Sequence, residues 1–188
     1  MNESLRELLE DAPVIAAIKD DTGLEKVVLS DCRIVFVLYG NLCSIGDIVK
    51  KLRDAGKMPF VHVDLLEGAS NREIVIDFIR QNTCAEGIIS TKAALVHRAK
   101  ELGFYTVHRF FLLDSMALAS IRRQIGQSNA DAIEILPGCM PKIIKKIRHQ
   151  NSLPVIASGL IYDKEDVVTA LSAGAAAISS TCVDVWAL

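Results

Sequence analysis

No apolar run in this chain approaches the roughly 20 residues that a membrane-crossing helix needs, and residues Met1 to Glu7 carry two carboxylates and one arginine rather than the basic start of a secretory signal. The expected location is therefore the cytoplasm, with no membrane partner. Cysteine is scarce and unpatterned. Cys32, Cys43, Cys84, Cys139 and Cys182 are odd in number and form no C-x-x-C pair, which excludes a disulfide framework and a zinc knuckle. They read as mostly buried thiols, with no metal site. Aromatic residues make up only 5% of the chain, so material for a base-stacking surface is short. Net charge is also small, −2 with a sequence pI near 6.1, which is unlike a protein coated in cations for nucleic acid. No Pro/Gly/Ser-rich linker or break in composition divides the sequence, and residues 1–188 read as one domain.

What is present is a core and a repeat. Of the 188 residues 51% are hydrophobic, enough for a single substantial core. After an amphipathic opening helix (Ser4 to Glu10), an apolar strand, a polar strand end and a helix recur about every twenty residues. The strands read as Val14 to Lys19, Arg33 to Tyr39, Met58 to Leu65, Gly87 to Thr91, Phe104 to Arg109, Ala132 to Leu136, Val155 to Ser158 and Ala175 to Ser180. Eight alternating units mean a parallel sheet, and they favour an α/β fold, a compact single (β/α)8 TIM barrel with short loops. An open doubly wound sheet ranks second, because the chain is short for a barrel. Helix punctuation agrees with this reading. Gly56, Gly103 and Gly126 stand where helices end, Ser70 with Glu73 spells a capping box, and the helix from Asp163 to Ala173 has Asp163 at its cap and Gly174 at its end.

Alternation within the strands predicts an inward set of Ala17, Lys19, His62, Asp64, Ser90, Lys92, Thr106, His108 and Glu134, with Ile18, Val61, Val63, Ile89 and Val107 facing the helices. Alternation does not fix the side taken by Arg109. Barrel sites lie at the C-terminal strand ends, and phosphate is commonly held by the loops after the last two strands. There the sequence reads Ser158-Gly159-Leu160 and Ser179-Ser180-Thr181, hydroxyls and small residues that suit a phosphate. With Lys19, Lys92, Asp64 and Glu134 nearby, the mouth suits a small, phosphorylated, hydroxylated ligand. Each residue also has a plainer reading: lysines reaching solvent, carboxylates in a structural network, His62 as a hydrogen-bonded core histidine, and Phe110 to Leu113 as packing.

A second signal is basic. Pro141 to His149 reads as a helix with Ile143, Ile144 and Ile147 on one face and Lys142, Lys145, Lys146, Arg148 and His149 on the other, either a phosphate-backbone contact or a solvated face. Lys50, Lys51, Arg53 and Lys57 form another basic stretch, and Arg122 with Arg123 a third.

The strand-end phrases resemble those of the glycerol-3-phosphate-responsive antiterminators, regulators of bacterial glycerol-utilisation operons. They are Pro13 to Asp20, Leu38 to Gly40, His62 to Leu65, Asp77-Phe78, Glu86 to Lys92, Arg109 to Ser115, Ile133 to Gly138, Pro154 to Ala157, Gly159 to Ile161 and the C-terminal Trp186. The resemblance implies a barrel that senses glycerol 3-phosphate, without cofactor or catalysis, and acts on the leader mRNA of a glycerol-utilisation operon. It implies phosphate contacts at Gly138, Gly159, Ser180 and Thr181 and contacts to the polar head of the ligand from Lys19, Asp64, Lys92 and Glu134, to which the strand-end reading adds Ser158 for the phosphate and His108 for the head. The chain departs from the family pattern at Ser158 (commonly glycine), Cys182 (asparagine), His108 (glutamine) and Ala93 (proline).

Two other functions compete. A phosphosugar isomerase, epimerase or aldolase would use Asp64 or Glu134 as base and Lys19 or Lys92 as the amine; the short loops, with no lid to exclude water, speak against it. A ligand-binding module acting through a protein partner is the third reading. A homodimer, which doubles the positive surface, is the oligomeric alternative to a monomer.

Overall fold

The computed structural model describes residues 4–188. Its elements are α1 (Leu5–Asp11), β1 (Val14–Ile18), α2 (Asp21–Val28), β2 (Ile34–Val37), α3 (Ile45–Asp54), β3 (Met58–His62), a 3-10 turn (Val63–Leu65), α4 (Ile74–Asn82), β4 (Gly87–Ser90), α5 (Ala93–Glu101), β5 (Tyr105–Phe111), α6 (Ser115–Ser128), β6 (Ala132–Leu136), α7 (Pro141–Gln150), β7 (Val155–Ser158), α8 (Lys164–Ser172), β8 (Ala177–Ser180) and α9 (Val183–Trp186). All eight strands pair in parallel in chain order, and β8 closes on β1 through the register Val14↔Ile178 to Ala16↔Ser180. The fold is the (β/α)8 barrel that the repeat predicted.

Local chemistry sets the helix starts. Ser4 and Glu7 form a reciprocal capping box, the Ser4 amide donating to the Glu7 carboxylate at 2.7 Å and the Glu7 amide to the Ser4 hydroxyl at 3.3 Å. Asp20, Asp114 and Asp163 accept from the amides of Gly23, Ala117 and Asp166 at 2.8, 2.8 and 3.0 Å. Two predicted helix signals fail. The Ser70–Glu73 box does not form, because α4 begins only at Ile74, where Val75 and Ile76 turn into the core, and Glu73 makes no side-chain cap. Nor does Gly126 end its helix: α6 runs to Ser128 and stops at Asn129, whose φ of 50° takes the left-handed role usually given to glycine.

Two layers of apolar side chains line the sheet. Ile15, Ala17, Ile34, Phe36, Met58, Phe60, Ile89, Val107, Ala132, Ile156 and Ala177 fill the barrel interior, and Leu5, Leu8 and Leu9 of α1 close it below. Each of the larger side chains, from valine upward, contributes about 1.5–3 kcal/mol by burial. The lower barrel is therefore sealed with hydrocarbon, and polar inward groups are confined to the upper end. Outside, Ile18, Val35, Val37, Val61 and Ile88 pack under α2 to α5, and Ile133, Ile135, Val155, Ala157 and Ile178 under α6 to α8.

This layering corrects the predicted alternation for β4 and β5. Ile89 and Val107 point inward, so Ser90, Thr106 and His108 take the helix-facing side. The reading required apolar outer residues, whereas local partners take up Ser90, Thr106 and one ring nitrogen of His108, whose Nδ1 is buried without a partner. Thr106 donates to Asp131 (2.9 Å), Ser90 to Asp64 (2.7 Å), and His108 lies 3.3 Å from the Thr91 carbonyl with its ring 4.2 Å from that of Phe110. The predicted third strand is also too long: β3 ends at His62, and Asp64 sits in the 3-10 turn. Of the five cysteines only Cys32 is buried; Cys43, Cys84 and Cys139 lie exposed on the surface, contrary to the expectation of mostly buried thiols. Among the described residues no cluster of three or more His, Cys, Asp or Glu side chains could hold a metal, and no helix is long and apolar enough to cross a membrane.

Candidate functional site

Above the hydrocarbon layers, the inward positions of the last strand turns become polar. Arg109 on β5 and Glu134 on β6 stand side by side in register and form a two-point pair, Nε to Oε2 at 2.5 Å and Nη2 to Oε1 at 3.1 Å. Both are buried, Arg109 5% exposed and Glu134 not at all. Arg109, whose side the alternation left undetermined, thus faces inward. Glu134, predicted to meet the ligand, is instead locked by this fork.

Arg109 forms one wall of a cavity of about 140 Å³ at the C-terminal end of the barrel, lined also by Ala17, Leu38, Leu136, Ser158 to Tyr162 and Ser179 to Thr181. Three features suit this cavity to an anion. Gly159 and Leu160 both have positive φ, 74° and 58°, so the chain makes a left-handed turn immediately after β7. For a bulky residue such as Leu160 this conformation costs about 1–2 kcal/mol, and strain of that kind gathers at ligand clamps. Next, no hydrogen bond of the described residues takes its proton from the amides of Gly159, Leu160 or Thr181. Finally, the Ser179 hydroxyl, on a residue 1% exposed, has no hydrogen-bond partner. An unpaired buried hydroxyl costs about 1–3 kcal/mol, and its placement beside a guanidinium and free amides matches the needs of a phosphate.

The predicted phosphate residues divide. Gly159 and Thr181 line the cavity, as does Ser158, whose hydroxyl donates to the Ser179 carbonyl at 3.4 Å. Ser180 also lines the cavity, but its hydroxyl is turned away, donating to the Ile161 carbonyl at 2.7 Å and accepting from the Cys182 amide at 3.0 Å. Its role is to fold the turn. Gly138 lies one layer away, after a cis Leu136–Pro137 bond; its amide donates to the Gly159 carbonyl (3.0 Å), and a Cβ there would stand 2.7 Å from the Ser158 nitrogen. Only glycine allows the two turns to approach this closely.

The predicted ligand-head residues are not gathered at this cavity. Asp64 accepts from the Ser90 hydroxyl (2.7 Å), the Thr91 amide (2.6 Å) and the Thr91 hydroxyl (2.7 Å). Burial pushes its carboxyl up, but those three donors outweigh it and hold the group below its ordinary value. The Lys92 ammonium is 3.7 Å from Asp64 and bonded to Asn71, outside the cavity. Lys19 is exposed and lines a neighbouring depression with Thr181, Val183 and Trp186. His108 packs on the helix side. His62 is inward and 3% exposed; burial first, then the charge of Arg109, push its pKa down to about 3, so the ring is neutral. It was expected to be a hydrogen-bonded core histidine, yet its Nδ1 has no partner.

Arg109 was missed as a site member, and Ser179 was read as part of the small-residue turn but not singled out as its buried inward hydroxyl. The sequence signal was continuation of the small inward series: Ala177 inward makes Ser179 inward, and pairing in register with Glu134 makes Arg109 inward. A larger basin of about 990 Å³ opens at the opposite end among Arg53, Arg80, Lys100, Glu86 and Asp131. It holds none of the candidate residues and lies away from the strand ends where barrel sites are built.

The candidate RNA residues Lys142, Lys145, Lys146 and Arg148 on α7 are all exposed, and among the described residues none pairs with a carboxylate. Trp186 is buried, its indole donating to the Ser180 carbonyl at 2.8 Å, so α9 braces the β8 turn.

Comparison with known proteins places this geometry. A Listeria monocytogenes structure described as a glycerol uptake operon antiterminator regulatory protein is 31% identical, with a TM-score of 0.87 over 89% of this chain and 91% of that one. A Thermotoga maritima glycerol uptake operon antiterminator-related protein is 33% identical, with a TM-score of 0.81 over 92% and 96%. An uncharacterized Escherichia coli K12 protein, YgcP, is 50% identical over 184 residues, 98% of this chain and 96% of that one. A deoxyribose phosphate aldolase from Aeropyrum pernix shares only the fold, at 14% identity and a TM-score of 0.73 over 97% and 91%. The sequence model for the glycerol-3-phosphate responsive antiterminators matches residues 14–186. The chain belongs to the glycerol-3-phosphate responsive antiterminator family.

Proposed function

We propose that this protein binds glycerol 3-phosphate in the cavity between Arg109 and the β7 and β8 turns, and that the liganded form acts on the leader mRNA of a glycerol-utilisation operon to prevent termination. The observation that carries the ligand half is the unpartnered Ser179 hydroxyl facing the cavity beside Arg109 and the free amides of Gly159, Leu160 and Thr181. The volume of about 140 Å³ suits a three-carbon phosphate; drug-sized ligands take pockets of roughly 300–1,000 Å³. The phosphate takes the amides and Ser179, and the free edge of Arg109 adds charge-assisted donors. The RNA half follows the family, with the unpaired cations of α7 as phosphate contacts. No cofactor is required.

Regulation rather than catalysis is the better reading of this barrel. The carboxylates that an isomerase or aldolase would use are committed, Glu134 to Arg109 and Asp64 to Ser90 and Thr91. The candidate amines of Lys19 and Lys92 lie outside the cavity, so neither is placed to form a Schiff base with a ligand held there.

The test is calorimetric titration with glycerol 3-phosphate, glycerol and inorganic phosphate, on the native protein and on Gly159→Asp and Gly159→Asn. Both substitutions carry the same backbone cost at φ 74°, but only aspartate places a carboxylate beside the phosphate. Selective binding of glycerol 3-phosphate, lost in Gly159→Asp and retained in weakened form in Gly159→Asn, is expected. Binding unchanged by the aspartate would place the ligand elsewhere.

A further inference from the structure

Charge in this protein is strongly partitioned, although its net value is small. Residues 115–150 hold six of the lysines and arginines (Arg122, Arg123, Lys142, Lys145, Lys146 and Arg148) against two carboxylates. Both carboxylates are already engaged, Asp131 by Lys100 and Thr106, Glu134 by Arg109. Neither α6 nor α7 contains an acidic residue, and all six cations are exposed with no ion pair among the described residues. The rest of the chain is the reverse, with 15 cations and 21 carboxylates. On the other basic helices most cations are neutralised where they stand, Lys51 of α3 excepted. On α3, Lys50 pairs with Asp54 and Arg53 with Glu86; on α5, Arg98 pairs with Asp77 and Glu101.

These two helices are rooted beside the candidate ligand site, whose other walls are the turns after β7 and β8. α6 follows the strand that carries Arg109, and α7 follows the strand that carries Glu134. The Leu112 amide donates to the Leu136 carbonyl at 2.7 Å, joining the two roots. The Gly138 amide donates to the Gly159 carbonyl at 3.0 Å, joining the start of α7 to the left-handed turn.

Resting on the RNA-acting reading above, we infer that the outer faces of α6 and α7 together form the surface on which the RNA phosphate backbone lies, with Arg122 and Arg123 of α6 as members equal to the lysines of α7. A polyanion gains most where cations have no local carboxylate to displace, and here six such cations flank one strand. The barrel's remaining surface carries an excess of carboxylates that repels the same polyanion. Because both helices are bonded to the turns around the cavity, ligand contacts there and RNA contacts on this face bear on the same segments, as differential binding to two states requires.

The experiment is fluorescence anisotropy with a fluorescein-labelled 5′ leader transcript of a glycerol uptake operon, at saturating glycerol 3-phosphate over a series of salt concentrations. It compares the native protein, Arg122→Glu with Arg123→Glu, the milder Arg122→Gln with Arg123→Gln, and a charge-matched control, Lys26→Glu with Lys51→Glu on α2 and α3. The expected result for the α6 reversal is at least tenfold weaker RNA binding, with the glycerol 3-phosphate affinity unchanged by calorimetry. The glutamine pair is expected to flatten the dependence of log K on log salt by about 1.4 for a single strand, roughly 0.7 for each lost phosphate contact, and the control to change binding less than twofold. If the native protein binds the transcript and the α6 variants bind it equally well, or the control loses as much as they do, this surface is wrong and the RNA-acting reading stands. If the native protein binds no transcript at all, that reading falls, and the surface with it.

Discussion

Removing Arg109 separates the energetics of the site from those of the fold. Glu134 is completely buried and its bonded partner is the Arg109 guanidinium, through contacts of 2.5 and 3.1 Å. Arg109→Met keeps most of the side-chain volume but leaves a buried carboxylate without its counter-ion, a change that costs about 3–5 kcal/mol. At roughly 2–4 °C per kcal/mol for a chain of this size, the melting temperature is expected to fall by about 6–20 °C. Glu134→Gln, which leaves the arginine a neutral acceptor, should cost less. The double substitution Arg109→Met with Glu134→Leu removes both charges, and replacing a buried pair by hydrocarbon is often close to neutral. It should recover most of the lost stability while binding no glycerol 3-phosphate. Thermal and urea melts of these variants and of Glu134→Leu alone, with calorimetry on each, complete the double-mutant cycle. A loss below about 1 kcal/mol for Arg109→Met, or full ligand affinity in the stable double variant, would refute the assignment of Arg109 as both the partner of Glu134 and a wall of the site.

Other consequences are simpler to check. A Cβ on Gly87 would lie 2.1 Å from Cδ1 of Phe60, a ring wholly inside the barrel, so Gly87→Ala should destabilise by about 1–3 kcal/mol in urea melts and be partly rescued by Phe60→Leu. His62 has a folded pKa near 3, below its unfolded value of about 6.5. The unfolded chain therefore takes up a proton there first, and stability present above pH 6.5 is lost progressively as pH falls toward 3. His62→Gln should remove up to about 1.4 kcal/mol per pH unit of that slope between pH 6 and 4 in urea melts, while His108, also pushed down by burial, retains its own share. Equal slopes in the two proteins would show that His62 titrates normally.

The sequence by itself determined the architecture. Eight short apolar runs at even spacing, with helices begun by Asp20, Asp114 and Asp163, have one economical parallel arrangement, and hydrophobic periodicity with capping is local information. The small-residue turns at Gly159 and Thr181, which line the cavity, were legible for the same reason, because small residues after the last two strands allow close backbone approach. What the sequence could not assign was the facing of side chains at strand ends. There a polar residue on the outer side, such as Thr106 bonded to Asp131 or Ser90 bonded to Asp64, looks identical to one pointing into the barrel. One wrong parity in β4 and β5 placed His108 at the mouth and left Arg109 unassigned. Only closure of the barrel settles this, since it brings β5 into register with β6 and sets Arg109 against Glu134, 25 residues apart in the chain. The free Ser179 hydroxyl and the unpaired charge of α6 and α7 are likewise tertiary facts. Whether a polar group has a partner depends on what the fold brings near it, and composition carries no record of that.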